Sequence, residues 1–150
     1  MLTLNELLNE LRAKILTLTN CRASTICTYE NLLLRIAESH NEYMHVFIVY
    51  DLKSVLLREW STELPLTLVI CDKLQAKKTN EINVHSNTLS LSIEVIKILR
   101  QWAQVNGWDG INDTPTDVWT EDEGDALLGG VKLDIIIKGN IGGYCDIITD

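Results

Sequence analysis

The chain has 150 residues, 46% of them hydrophobic and 23% charged, with a formal net charge of −8 at pH 7. That length suits one domain with its own core, and no apolar run approaches the ~20 residues of a membrane span. The acidic balance argues against direct binding to a phosphate backbone, which Lys and Arg drive, and the start MLTLNELLNELRAKI lacks the basic region of a secretory signal.

Thr3-Leu4-Asn5-Glu6 reads as a capping box. Leu4, Leu7, Leu8, Leu11, Ile15 and Leu18 then make one stripe, so the spacing predicts a helix over about Leu4 to Leu16. Residues Asn20 to Thr28 are small and polar and read as irregular. A short helix follows over about Tyr29 to Ala37, with Leu32, Leu33 and Ile36 inward, and Glu38 to Glu42 reads as a turn.

Met44 to Tyr50 (MHVFIVY) is β-branched and aromatic on both faces and reads as a central strand. Ser54 to Trp60 and Pro65 to Asp72 read as two further strands. Because these segments lie close in sequence, an antiparallel meander is the simplest arrangement. A polar loop from Lys73 to Asn80 leads into the stretch NVHSNTLSLSIEVIKILRQWAQV.

That stretch predicts one long helix over about 83–105. Val84, Leu91, Val95, Ile98, Trp102 and Val105 recur at helical spacing after a first step of seven, and Leu99 widens their face. Leu89, Ile93 and Ile96 fall on a second flank, far round the helix. A surface helix needs an apolar stripe only ~100° wide, so this one predicts cover on two sides. The first helix is one candidate cover for the second flank, and any part it leaves bare marks an interface. Leu89, Ile93 and Ile96 are therefore the interface candidates. Asn106 and Gly107 supply residues that tolerate a left-handed cap.

Beyond Gly107 acidic residues accumulate, from Asp109 to Asp125. Thr116 to Glu121 reads as a short strand, and Val131 to Lys138 as a clear one in which Val131, Leu133, Ile135 and Ile137 alternate with polar positions. The whole reads as a single α+β domain: an antiparallel or mixed sheet of about four to five strands, with an N-terminal helix and the long helix packed on it.

The search for chemistry predicts no catalytic, cofactor-binding or metal-binding residues. Cys21, Cys27, Cys71 and Cys145 are scattered, with no Cys-x-x-Cys pair and only three histidines, which argues against zinc and fits a reducing, cytoplasmic setting. The acidic segment departs from the Ca²⁺-loop template. Asp51, Asp72 and Lys73 lack the basic surroundings of a metal nuclease. Gly139-Asn140-Ile141-Gly142-Gly143 lacks the Lys-Ser/Thr of a phosphate-binding loop.

Several segments in register carry a resemblance: MHVFIVYD, LTLVICDKL, NEINVHSNTLSLSIEVIKILR, EGDALLGGVKLDIII and a tail with a Cys beside an Asp. The pattern, from about Glu42 to Cys145, is similar to a family of small phage and prophage proteins common in gut bacteria of the Bacteroides type. Ser86-Asn87-Thr88-Leu89 matches that family's helix start with Asn in place of Asp, and Gly129-Gly130 replaces its Gly-Trp. The resemblance implies an α+β protein like the tail terminators and tail-completion proteins of long-tailed phages. These are structural and form homo-oligomeric rings, often of six subunits, that cap the tail tube and contact other tail and neck proteins. It implies assembly into a virion, with no direct nucleic-acid binding and no membrane partner. The alternative class is a small cytoplasmic α+β enzyme or ligand-binding domain.

Overall fold

The computed structural model of the protein describes residues 3–38, 43–51, 56–57, 62–74, 80–106, 110–113, 117–123 and 126–139. The elements run α1 (Leu4–Leu16), β1 (Ala23–Thr28), α2 (Tyr29–Glu38), β2 (His45–Tyr50), β3 (Leu56–Leu57), β4 (Thr62–Lys73), α3 (Glu81–Val105), β5 (Gly110–Asp113), β6 (Asp117–Glu123) and β7 (Ala126–Gly139). The fold is α+β. One mixed sheet has the order β1-β2-β4-β7-β5, with β3 beside β4 and β6 beside β7.

α1 begins as its sequence dictates. The Thr3 hydroxyl accepts from the Glu6 N–H at 3.2 Å, and the Glu6 carboxylate accepts from the Thr3 N–H at 2.9 Å, so two otherwise orphaned amide donors are satisfied. Residues 23–28, expected to be irregular, instead form β1, which runs parallel to β2 from Ala23↔His45 to Thr28↔Tyr50. Its polar composition hid a strand whose order comes from β2, with α2 as the crossover between the two parallel strands.

The centre of the sheet is the antiparallel pair β4–β7, in register from Thr62↔Gly139 to Lys73↔Leu128. Because β7 occupies one edge of β4 along its whole length, β2 and β3 must share the other edge. β2 lies opposite Leu66–Cys71, and β3 lies opposite Thr62 and Glu63. The expected meander is thereby corrected: β3 is not a separate column but resumes the column of β2. The break falls opposite Leu64 and Pro65, and proline has no N–H to give a ladder. The outer edge of β7 repeats the device. β6 pairs with Lys132 to Ala126, and β5 pairs with Lys138 to Ile135. Pro115 lies in the interval between β5 and β6. Neither β5 nor the first residues of β7 were expected as strands. The remainder of the expected strand Ser54–Trp60, the turn at residues 39–42 and the tail 140–150 lie outside the described residues.

Side-chain alternation divides the core in two. On one face, α1 and α3 bring Leu7, Leu11, Leu91, Val95 and Leu99 onto Val46, Ile48, Leu66, Leu68, Leu133 and Ile135. On the other, Ile36 of α2 packs over Phe47, Val49, Val69 and Cys71, with Leu32 partly buried beside it. Leu33, expected inward, is 54% exposed. It lies about 100° round the helix from Leu32, and a short crossover helix turns only a narrow stripe to the sheet. α3 ends at Asn106, whose backbone N–H and side-chain amide both donate to the Trp102 carbonyl. Its φ of −95° is not left-handed, Gly107 lies outside the described residues, and Val105, expected on the buried face, is 86% exposed at the end of the last turn.

Candidate functional site

The long helix presents an exposed apolar line on the side away from the sheet. Ile82, Leu89 and Ile93, at steps of seven and four, lie within about 40° of one another round the helix, and their side chains are 84%, 38% and 57% exposed. Ser86 and Ser90 flank this line and are exposed. Glu81 stands at its N-terminal end, and Lys97 and Arg100 extend it towards the C-terminus.

Of the three interface candidates, the structure keeps Leu89 and Ile93 together on this outer line and separates Ile96 from them. Ile96 is 7% exposed and belongs to the core on the face of the sheet that α1 and α3 cover. It shares the flank of Leu89 but sits seven residues on, roughly 10 Å along the axis, within the layer that α1 and α3 form on the sheet. The clamp between the two helices is visible at Trp102, whose indole Nε1 donates to Glu10 Oε2 at 3.0 Å. Ile82, which the sequence reading omitted, completes the line.

A second apolar surface lies on the opposite side of the sheet. Leu33 and Leu34 of α2 are 54% and 56% exposed. Glu30, also exposed, lies near them, while Arg35 is engaged with Glu38 at 2.9 Å.

Two polar arrangements were not foreseen. The first is a groove of about 400 Å³ between α1 and β1, lined by Asn5, Asn9, Arg12, Ser24, Thr25 and Tyr50 among others. Arg12 Nε donates to the Ser24 carbonyl at 2.7 Å, capping a carbonyl of the outermost strand. Ser24 Oγ is buried with no hydrogen-bond partner among the described residues. The second is a chain on the α2 side. Thr67 Oγ1 donates to Asp134 Oδ1 at 2.7 Å and also contacts the Tyr29 hydroxyl. A carboxylate only accepts, so Thr67 gives its single hydrogen to Asp134 and Tyr29 donates to Thr67. Neither arrangement had a sequence signal, because each joins residues from separate elements: Arg12 with Ser24, and Tyr29 with Thr67 and Asp134.

The three described cysteines are poor nucleophiles. Burial pushes the thiols of Cys21 and Cys27 up to about 11, and that of Cys71 higher still, whereas reactivity needs the thiolate. The imidazole of His45 is buried, stacked on Phe47 with centroids 4.1 Å apart, and hydrogen-bonded through Nε2 to Thr25 Oγ1 at 2.8 Å. It ties β1 to β2. Among the described residues no three His, Cys, Asp or Glu side chains converge as a metal site, and no helix is long and apolar enough to cross a membrane. Compared with known proteins, the chain matches no family model and no curated relative.

Proposed function

We propose that the chain is a structural protein of phage or prophage virion assembly, a tail-terminator-like or head–tail joining component rather than an enzyme. In this reading it remains in the host cytoplasm until it self-associates into a ring, of six subunits by the resemblance, and docks on other tail and neck proteins. The observation that carries the reading is the exposed line Ile82, Leu89 and Ile93 on α3, because aligned apolar residues on a surface helix mark protein–protein contacts. The α+β fold and the sequence resemblance support it, and the net charge of −8 suits a ring through which DNA passes without adhering. The test is made on particles. Gold-labelled antibody against the protein should decorate the head–tail junction, and loss of the gene should leave unjoined heads and tails. Complete, infectious particles lacking the protein would refute the proposal.

A second reading, a small ligand-binding domain, draws on the groove between α1 and β1, which Arg12 lines while it donates to the Ser24 carbonyl. It requires a small anion to raise the melting temperature of the wild type and not that of Arg12→Ala.

A further inference from the structure

We infer that the groove between α1 and β1 binds an extended peptide segment of a partner protein, which adds to the open edge of β1 and sets an acidic group on Arg12. The inference rests on the reading that this groove is a binding site, and adds the class of ligand. β1 is the outermost strand on its side of the sheet, with β2 as its partner. The Ala23 N–H donates to the Met44 carbonyl next to β2. Backbone groups along a strand alternate between its two edges, so Thr25 and Cys27 follow Ala23, and Ser24 and Ile26 turn their N–H and C=O outward. The Ser24 carbonyl bears this out, since it accepts from Arg12 Nε of α1 at 2.7 Å. Two residues on, the Ile26 N–H and C=O have no partner among the described residues. Thr25 turns its side chain to His45 on the other face, yet it too lines the groove, so the groove reaches round to this open edge. Such an edge takes a peptide as a further strand.

The polar groups of the groove choose between ligand classes. Asn5, Asn9 and Arg12, at steps of four and three, line its α1 side. Asn9 Nδ2 donates to the Asn5 carbonyl and Oδ1, which leaves Asn9 Oδ1 as an acceptor and Asn5 Nδ2 as a donor. The Ile26 backbone adds one donor and one acceptor. A small anion only accepts, so it would leave the Asn9 oxygen and the Ile26 carbonyl without a donor. A peptide brings an N–H and a C=O with almost every residue and answers both kinds. The groove holds about 400 Å³, which a single turn of helix about 10 Å across would fill, so the occupant is extended. Arg12 supplies the charge. It is exposed, its Nε is spent on Ser24, and no carboxylate among the described residues pairs with it. Its remaining guanidinium N–H groups match a carboxylate on the incoming segment.

The test uses the full chain and a library of random octapeptides. Wild type should enrich peptides that carry an acid among β-forming residues, and Arg12→Glu should not. Arg12→Gln serves in the same way should Arg12→Glu misfold by circular dichroism. A fluorescent copy of the best peptide should bind wild type in polarisation measurements. Replacing its acid by the amide should weaken binding at least tenfold, and lysine in that place should restore binding to Arg12→Glu. Methylating the peptide nitrogens that face β1 should also cost at least tenfold, whereas methylating the alternate set should cost little. Four outcomes overturn the inference: no peptide enriched above Arg12→Glu, binding indifferent to methylation at every nitrogen, binding indifferent to the acid, or wild type dimerising through β1 without peptide, which would make the occupant a second copy. Phosphate or acetate raising the melting temperature through Arg12 while no peptide binds would leave the groove a ligand site and remove the peptide.

Discussion

The indole Nε1 of Trp102 donates to Glu10 Oε2 at 3.0 Å, fastening the last turn of α3 to α1. Trp102 is 4% exposed, so its ring also fills the core between these helices and the sheet. Two substitutions separate the roles. Trp102→Phe keeps most of the ring and loses the hydrogen bond to a partly solvated carboxylate, which should cost about 1 kcal/mol. Trp102→Ala leaves a cavity and should cost about 3–5 kcal/mol. Urea midpoints of the two variants check this, and equal losses would show that the hydrogen bond, not the ring, holds the helices.

Gly129 and Gly130 are adjacent yet should respond oppositely to a methyl group. A Cβ at Gly130 would overlap the Ile70 carbonyl and lie 2.9 Å from Cys71 Cα, both of them backbone of the paired strand β4. Gly130→Ala must push β7 away from β4 and should cost at least about 3 kcal/mol, at the upper end of overpacking. A Cβ at Gly129 would meet only side-chain atoms of Val84, His85 and Leu74 at 3.2–3.3 Å. Those can yield by a few tenths of an ångström, so Gly129→Ala should stay within about 1 kcal/mol of wild type. Paired thermal melts decide, and a Gly130→Ala protein as stable as wild type would show that the strands separate freely.

Alkaline pH should weaken the fold. Burial lifts the Cys21 and Cys27 thiols from 9.0 to about 11, partly opposed by backbone hydrogen bonds at Cys21 and by the Arg35 charge at Cys27. Burial, with Cys71 and Asp72 nearby, lifts the Tyr43 hydroxyl to about 12. The unfolded thiols release their protons near 9.0 and the folded ones near 11, so between those values the folded chain holds more protons. The stabilisation is therefore complete below about pH 9 and is lost as pH rises towards about 11. The melting temperature should fall across that window in a reduced sample, and Cys27→Ala should flatten the fall. A melting temperature independent of pH there would contradict the burial of these thiols.

How much of this was legible in the sequence follows from where the information lies. α1 and α3 were readable because a 3.6-residue period and a capping box are local. β2 was readable because a buried strand must be apolar on both faces. β1 was not, since Ala23–Thr28 is ordered by a parallel partner some twenty residues away, and a polar edge strand looks like a loop. The meander failed for a similar reason. Only the pairing of β4 with the distant β7 decides that β3 must continue the column of β2. On α3 the second flank was visible, but its division was not. Burying Ile96 and leaving Ile93 exposed depends on what the fold brings against each turn of the helix, and no spacing within α3 encodes that.

Ile93 and Ile96, three residues apart on one helix, should therefore behave as residues of different kinds. Ile96 is 7% exposed in the core shared with α1, and Ile93 is 57% exposed on the outer line. Ile96→Ala should cost about 2–5 kcal/mol, because it removes packed methylenes and leaves a cavity. Ile96→Glu would bury an unpaired carboxylate, and the chain should fail to fold. Ile93→Ala should change monomer stability by no more than about 0.5 kcal/mol, as surface substitutions do, and Ile93→Glu should leave the circular dichroism spectrum intact. Urea melts at a concentration low enough to keep the chain monomeric isolate this comparison from any effect on assembly. If Ile93→Ala destabilises the monomer as much as Ile96→Ala, both residues belong to the core and the outer line of α3 is no docking surface.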